Sequence, residues 1–285
     1  MRMAGGILIS IRSDKMCVKI KMLIMLAGLA AGVFPVTAGE PGPLAVDDRA
    51  VTQALRGYQA AMVIMDAASG RIYRYHPELC QEPLSPCSTF KIANALCALE
   101  NGLVDSADTV IPWDGKERWN PAWNKDLTLK QAMAVSAVPH FQQLAAQAGE
   151  ATMQNFLDRI HYGNRNITGG IKQFWLGSSL LISADQQADF LRQLVNNKLP
   201  VTPHSRQVVY DIMFQQQGKN GRLYGKTGTG VDAGNHVNLG WYVGWVDTNS
   251  AQTYVFAVNI RQGKKPSGPL VKQRLIALFE KLGWL

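Results

Sequence analysis

The sequence predicts a mixed α/β (α+β) protein. A central antiparallel sheet is assembled from both chain ends and flanked by helices, and a helical lobe is inserted between its strands. Three observations carry this. Runs rich in β-branched and aromatic residues lie at 60–66 and 71–75 near one end, and at 222–227, 239–247 and 253–260 near the other. The long middle, about 103–213, shows mostly three- and four-residue apolar spacing. Strands at the ends with helices between, rather than alternating βα units, favour one antiparallel sheet over a parallel one.

Taken in order, the chain opens with Lys15, Lys19 and Lys21, an apolar run at 22–36, and the small-residue site Val36-Thr37-Ala38. This is the pattern of a secretory leader over 1–38, with Met16 as an alternative start. The run is short of the ~20 residues that span a bilayer. Residues 39–285 are then expected to form one catalytic domain. Ala67-Ala68-Ser69-Gly70 turns the first hairpin, and Pro83 and Pro86 break the chain before the next element. From Ser88 a helix is expected, with Ile92, Ala95, Leu96 and Leu99 on one face and Gly102 as its stop. Further helices are expected at 127–135, 150–160 and 183–196, the last opened by Ser183 as N-cap. A polar loop, 162–170, precedes Phe174-Trp175-Leu176. After the late strands, a final amphipathic helix is expected at about 270–282.

Composition excludes several classes. The 285 residues are 47% hydrophobic and 18% charged, as in a globular protein, with neither low-complexity stretches nor solenoid repeats. The net charge of +8 falls to +4 without residues 1–38, and no clustered basic face suggests nucleic acid. Cys17 lies in the leader. In an exported protein Cys80 and Cys87 could close a short disulfide loop or stay as thiols, and Cys97 reads as a small buried hydrophobe. No Cys/His spacing matches a zinc site, so no metal is expected. The five histidines lack the partners of a Ser-His-Asp triad and read as structural or surface residues.

Chemistry is carried by Ser88-Thr89-Phe90-Lys91 and, downstream, Lys226-Thr227-Gly228. A serine and a lysine three apart on a helix point the same way, so one can be a nucleophile and the other its base. An isolated S-x-x-K arises about once by chance in a chain this long, and Ser88 could equally be a helix N-cap and Lys91 a solvated residue. K-T-G could be ordinary strand-to-turn punctuation. Two further elements between them change the odds: Ser136-Ala137-Val138 and Tyr162-Gly163-Asn164, each occurring once.

The order S-T-F-K, S-x-V, Y-G-N, K-T-G resembles the class D (oxacillinase-type) serine β-lactamases, over most of the chain after the leader. The 122–126 and 174–176 stretches share in the resemblance. A class A relative would show S-D-N in place of S-x-V, and no glutamate motif for water activation is present. The resemblance implies the fold of the β-lactamases and penicillin-binding proteins. It also implies hydrolysis of penicillin-type β-lactams through an acyl-enzyme on Ser88, conferring antibiotic resistance from the periplasm. β-Lactams would be the partners; nucleic acid and a membrane anchor would not.

The same resemblance assigns roles. Lys91, carboxylated by carbon dioxide or bicarbonate to N6-carboxylysine, would be the general base, and no organic cofactor is needed. Phe90, Val138 and Trp175 would wall the lysine, with the Trp175 N–H on the carbamate; Trp175 could instead be simple core packing. Ser136 would pass a proton to the departing lactam nitrogen. The Ser88 and Thr229 amides would form an oxyanion hole, and Lys226 and Thr227 would hold the substrate carboxylate. The family's carboxylate-binding arginine is replaced: the position falls on Lys272, with Arg274 and Arg261 as other candidates. Tyr162 and Asn164 support the site or merely order their loop. A β-lactam receptor, a cell-wall transpeptidase or carboxypeptidase, and an inactive homologue are the competing functions. A receptor would carry transmembrane segments, and an inactive homologue would not retain Ser88, Lys91, Ser136 and Lys226.

Overall fold

The computed structural model describes residues 42–231 and 238–285. The leader assigned to 1–38, with Cys17, lies outside the described residues, as does His236. Asp47 opens α1 (Asp48–Leu55), its Oδ1 accepting from the amides of Arg49 and Ala50 at 3.0 and 3.2 Å; this satisfies donors that a first turn otherwise leaves unpaired. The expected hairpin is β1 (Gln59–Asp66) and β2 (Ile72–Tyr75), with Met62 opposite Tyr75. Asp66 Oδ1 accepts from the amides of Ala68 and Ser69, both at 3.0 Å, and so shapes the turn between them. After α2 (Pro77–Cys80), Leu84 bridges to Ile182 and the chain enters a 3-10 turn, Cys87–Phe90, continuous with α3 (Lys91–Glu100).

The helix expected from Ser88 therefore begins as a 3-10 turn. Ser88 is not an N-cap, and no side chain caps this start. Residues Lys91 to Leu99 of α3 are all buried, so α3 is the central helix of its lobe rather than a surface helix with one apolar face. The Cys80–Cys87 bridge is not formed. Cys80 is a buried thiol whose Sγ donates to the carbonyls of Met62 and Tyr75, at 3.5 and 3.4 Å. Cys87, in the 3-10 turn, instead turns its Sγ toward Gly230 of a late strand. Cys97 is buried in α3, as expected.

A short ribbon of β3 (Val110–Ile111) and β4 (Leu127–Thr128) leads to α4 (Leu129–Ala134). The helix expected from 127 thus starts two residues late. Thr128 is its N-cap in a reciprocal capping box with Gln131, the two bonds being 3.1 and 2.9 Å. The helix expected from 150 is longer: α5 (Val138–Arg159) contains a break at Gly149, whose φ of 78° and ψ of 164° a side chain would strain. That break hides the continuity of the two halves from the apolar periodicity. Then follow α6 (Ala184–Val195), capped by Ser183, and α7 (Pro203–Met213). The last elements are β5 (Phe214–Gln217), which the sequence does not announce, β6 (Gly221–Val231), β7 (Asn238–Thr248), β8 (Thr253–Arg261) and α8 (Gly268–Lys281).

The six strands run in the order β2-β1-β8-β7-β6-β5, every neighbour antiparallel. β1 and β8 pair directly, so both chain ends build the centre of the sheet, as the strand distribution predicts. One face carries Val63, Trp241, Val243 and Trp245 against α3, α5 and α6; the other carries Met62, Tyr242, Val246 and Phe256 against α1 and α8. Burying each of these large side chains contributes about 1.5–3 kcal/mol. β6 carries the K-T-G residues and lies against the turn that carries Ser88. A side chain at Gly228 would come within 3.0 Å of the Pro86 carbonyl, so glycine permits this close approach.

Candidate active site

Ser88 and Lys91 meet because of the turn between them. In a 3-10 turn, residues i and i+3 eclipse. Lys91 Nζ donates to Ser88 Oγ at 2.8 Å. Lys91 is fully buried, and Ser88 is 9% exposed. Burial strips the ammonium of water and holds Lys91 well below the ordinary lysine range; the Lys226 charge pushes the same way. A neutral amine at hydrogen-bond distance from a hydroxyl is a competent base.

The wall around Lys91 is aromatic. Phe90 lies 5.3 Å from Trp175 and 5.0 Å from Phe174, ring centre to ring centre, and edge-on to Tyr162 at 5.7 Å. Lys91 Nζ sits 5.6 Å from the centre of the Phe141 ring. Phe141 is a member of the wall that sequence analysis passed over, although it lies three residues past Val138 in the same helix. Val138 itself opens α5 and is half-buried. Trp175 is fully buried, and its Nε1 makes no hydrogen bond among the described residues. Such an orphaned donor costs about 1–3 kcal/mol.

Ser136 connects α4 to α5 in a left-handed conformation, φ 53°. For a residue with a side chain this costs about 1–2 kcal/mol. Two neighbours brace it: the Ser136 amide donates to the Met133 carbonyl at 3.2 Å, and Trp123 Nε1 donates to the Val135 carbonyl at 3.0 Å. From β6, Lys226 Nζ donates to Ser136 Oγ at 3.0 Å and to the Thr227 carbonyl at 2.9 Å. Lys226 is buried, and desolvation, then the Lys272 charge, brings it down to about 7.

Because side chains alternate along a strand, Thr227 and Thr229 face away from Lys226, toward the start of α8. There the Gly268 amide donates to Thr229 Oγ1 at 2.9 Å. The carboxylate-holding candidates are dispersed. Lys272, half-buried on α8, donates to Gln215 Oε1 of β5 at 2.5 Å. Arg274 donates to the carbonyls of Ala54 and Arg56 at the end of α1. Arg261 is buried and donates to Glu82 Oε2 at 2.6 Å.

Two supports escaped the sequence. Ser85 Oγ donates to the Trp175 carbonyl at 3.0 Å and accepts from the amides of Gly177 and Cys87 at 2.9 and 3.4 Å, and the Ser85 carbonyl accepts from Trp241 Nε1 at 2.9 Å. Gln187 Nε2 donates to Thr89 Oγ1 at 2.7 Å and its Oε1 accepts from Tyr162 at 3.4 Å, while Thr89 Oγ1 donates to the Pro86 carbonyl at 2.7 Å. Tyr162 therefore reaches the nucleophile turn through Gln187. Asn164 orders its loop, bonding the Ser179 carbonyl at 2.9 Å and the Leu181 amide at 3.0 Å. Neither Ser85 nor Gln187 stands in a recognisable motif, and the partners that tie them to the site, Trp175, Gly177 and Trp241 for Ser85 and Thr89 for Gln187, are 90 or more positions away.

Among the described residues no cluster of His, Cys, Asp and Glu is arranged to hold a metal, and no helix is long and apolar enough to cross a membrane.

Comparison with known proteins follows the same lines. Residues 60–279 match the penicillin binding protein transpeptidase domain. β-Lactamase OXA-10 of Pseudomonas aeruginosa is 40% identical over 199 residues, covering 70% of this chain and 74% of that protein. The probable β-lactamase YbxI of Bacillus subtilis is 33% identical over 270 residues, covering 94% and 98%. The crystal structure of a class D β-lactamase from Bacillus subtilis superposes with a TM-score of 0.78 at 35% identity, covering 85% of this chain and 99% of that one.

Proposed function

The chain belongs to the class D serine β-lactamases, hydrolases that act on β-lactams, and from that membership we propose how these residues perform the reaction. Ser88 is the nucleophile. Its hydroxyl proton passes toward the Lys91 side chain, 2.8 Å away, and its oxygen adds to the lactam carbonyl. The amides of Ser88 and Thr229 stabilise the resulting oxyanion, each such donor being worth about 3 kcal/mol. Ser136 Oγ delivers a proton to the lactam nitrogen as the ring opens. Lys226, touching Ser136, replenishes that proton and faces the substrate carboxylate. Thr227 lies on the opposite face of the same strand, toward the start of α8, and Lys272 adds longer-range positive charge. The pair of Ser88 and a buried Lys91 carries this reading.

Lys91 is further proposed to act as N6-carboxylysine. Carbon dioxide adds to the free amine, whose nitrogen gives up a proton to solvent as the carbamate forms, and burial favours the free amine. Carboxylation gives Lys91 an oxygen base that also activates the deacylating water. Trp175 Nε1 is a buried donor without a partner among the described residues, and it suits a carboxylate oxygen at the end of Lys91. Val138 and Phe90 keep water from the same pocket. Asn164 and Tyr162 act indirectly, by ordering the loop and the turn.

We also propose that residues 1–38 are an export leader, that 39–285 is the catalytic domain working in the periplasm, and that its action confers resistance. Partners are small β-lactams. The test is hydrolysis of penicillin, oxacillin and a carbapenem by the purified protein, with and without bicarbonate, alongside mass spectrometry of the acylated chain. Turnover with a transient adduct on Ser88, raised by bicarbonate, is expected. A permanent adduct without turnover would instead indicate a receptor.

A further inference from the structure

Beneath the turn that carries Ser88, two polar side chains of β8 are buried without adequate partners. Asn259 is fully buried, and neither its Oδ1 nor its Nδ2 makes a hydrogen bond among the described residues. Arg261 is 8% exposed. Its Nη1 donates to Glu82 Oε2 at 2.6 Å, yet its Nε and Nη2 are likewise unpartnered. The two residues alternate on one face of β8. In register, Asn259 stands opposite Trp241 and Ala61, and Arg261 opposite Leu239 and Gln59. That face is the one that meets the helical lobe.

The pattern of orphans is specific. Nε–H and Nη2–H form one edge of the guanidinium, two parallel donors that match the two oxygens of a planar oxyanion. Glu82 takes the other side of the group. Glu82 is also 45% exposed in its side chain, so water screens the counter-charge it offers, and the inner edge of the guanidinium meets no anion among the described residues. A buried ionic donor pair left so is costly. Asn259 adds one donor and one acceptor beside it.

We infer that Arg261 and Asn259 form a non-covalent site for a small planar oxyanion, with bicarbonate the best match. Two bicarbonate oxygens accept from Nε and Nη2, and Nδ2 of Asn259 donates to the anion. The bicarbonate hydroxyl donates to Asn259 Oδ1. All four orphaned atoms are thereby satisfied. Formate and nitrate satisfy the donors but leave Oδ1 without a hydrogen. The occupied site ties β8 to the Glu82 segment, five residues before Cys87. It does not depend on carboxylation of Lys91, and bicarbonate would then act on this protein at two places.

The experiment separates them. Formate cannot carboxylate an amine, so it is titrated against the wild-type protein at constant ionic strength, with chloride as the balancing salt. Bicarbonate is titrated against Lys91→Ala, in which the lysine reaction is impossible. Both should raise the melting temperature saturably, by roughly 3–5 °C at ten times the dissociation constant, with bicarbonate effective at lower concentration. Arg261→Lys, which keeps the charge and loses the fork, should abolish the formate rise in the otherwise wild-type protein and the bicarbonate rise when combined with Lys91→Ala. Absence of a saturable rise, or an equal rise in Arg261→Lys, overturns the site. Should Arg261→Lys not fold, a crystal structure of the wild type grown in formate decides. Trigonal density on the Nε–Nη2 edge supports the site, and a lone water there overturns it.

Discussion

Lys226 Nζ touches Ser136 Oγ at 3.0 Å, and that contact joins the sheet to the helical lobe across the site. The two residues stand 90 positions apart, one on β6 and the other in a left-handed corner between α4 and α5. A lysine whose basicity burial lowers to about 7 and a hydroxyl in contact with it are what the proposed proton path to the lactam nitrogen requires.

If that path operates, Ser136→Ala should lower the acylation rate by about 10²–10³-fold, within the range of general-acid contributions. The fold should be unchanged. Stopped-flow measurement of adduct formation on Ser88 reads the step directly. An acylation rate within threefold of wild type would mean that Lys226 or water supplies the proton alone.

Trp175→Phe keeps an aromatic ring in the buried wall and removes the N–H along with part of the indole. The loss of a hydrogen bond to an ionised acceptor is worth about 1.5–3 kcal/mol, so carboxylation should weaken by roughly 10- to 100-fold. Activity should fall and recover in part with added bicarbonate, followed by carbon-13 NMR of the labelled lysine. Lys91→Ala should show slow acylation at best and no deacylation at any bicarbonate concentration. Rescue absent from Trp175→Phe would leave the tryptophan as packing.

The buried lysines predict a direction for stability against pH. Unfolded, Lys226 keeps its proton to about 10.5; folded, it releases it at about 7. Between those values the unfolded state binds more protons, so stability rises with pH, by up to about 1.4 kcal/mol per pH unit for each such group. Lys91 is shifted the same way. In buffer freed of carbon dioxide the melting temperature should climb from pH 7 to 8.5, and Lys226→Met should remove part of the slope. Burial raises Cys80 to about 12 and Cys97 to about 11. These thiols act oppositely only at higher pH, where unfolded cysteines ionise. A flat or falling profile over 7–8.5 would contradict the burial of both lysines.

Gln187 bridges Thr89 and Tyr162 under the nucleophile. Gln187→Leu leaves both hydroxyls short of a partner and should cost about 1–3 kcal/mol in chemical denaturation. Thr89 still donates to the Pro86 carbonyl, so kcat should change less than the stability does. A variant as stable as wild type would show that the bridge is dispensable.

Much of this protein was legible in the linear chain. Five of the six strands of the sheet read correctly because each is a short run rich in apolar or aromatic residues bounded by turn residues, and such runs are local; the polar β5, Phe214–Gln217, gives no such signal. Ser183 announced α6 through a capping box that spans four residues. The Ser88–Lys91 contact was readable because a turn of helix links positions three apart whether it is 3-10 or α. The helix limits at 127 and 150 read less well, because a two-residue strand and a break at Gly149 perturb the periodicity.

What only the tertiary structure decided is which polar groups lose their water. The identity of Lys91 and its distance from Ser88 follow from the sequence. Its lowered basicity does not: it comes from the burial of Lys91 in a pocket assembled from Phe141, Trp175 and residues on several elements. The sequence likewise names Cys80, Cys87, Lys272 and Arg261, but pairing depends on where each side chain is aimed. Cys80 bonds to backbone carbonyls, Lys272 to Gln215 and Arg261 to Glu82. Local spacing determines which groups can share a turn of helix. Desolvation and long-range pairing are sums over neighbours dozens to hundreds of positions away, and only the folded chain specifies those neighbours.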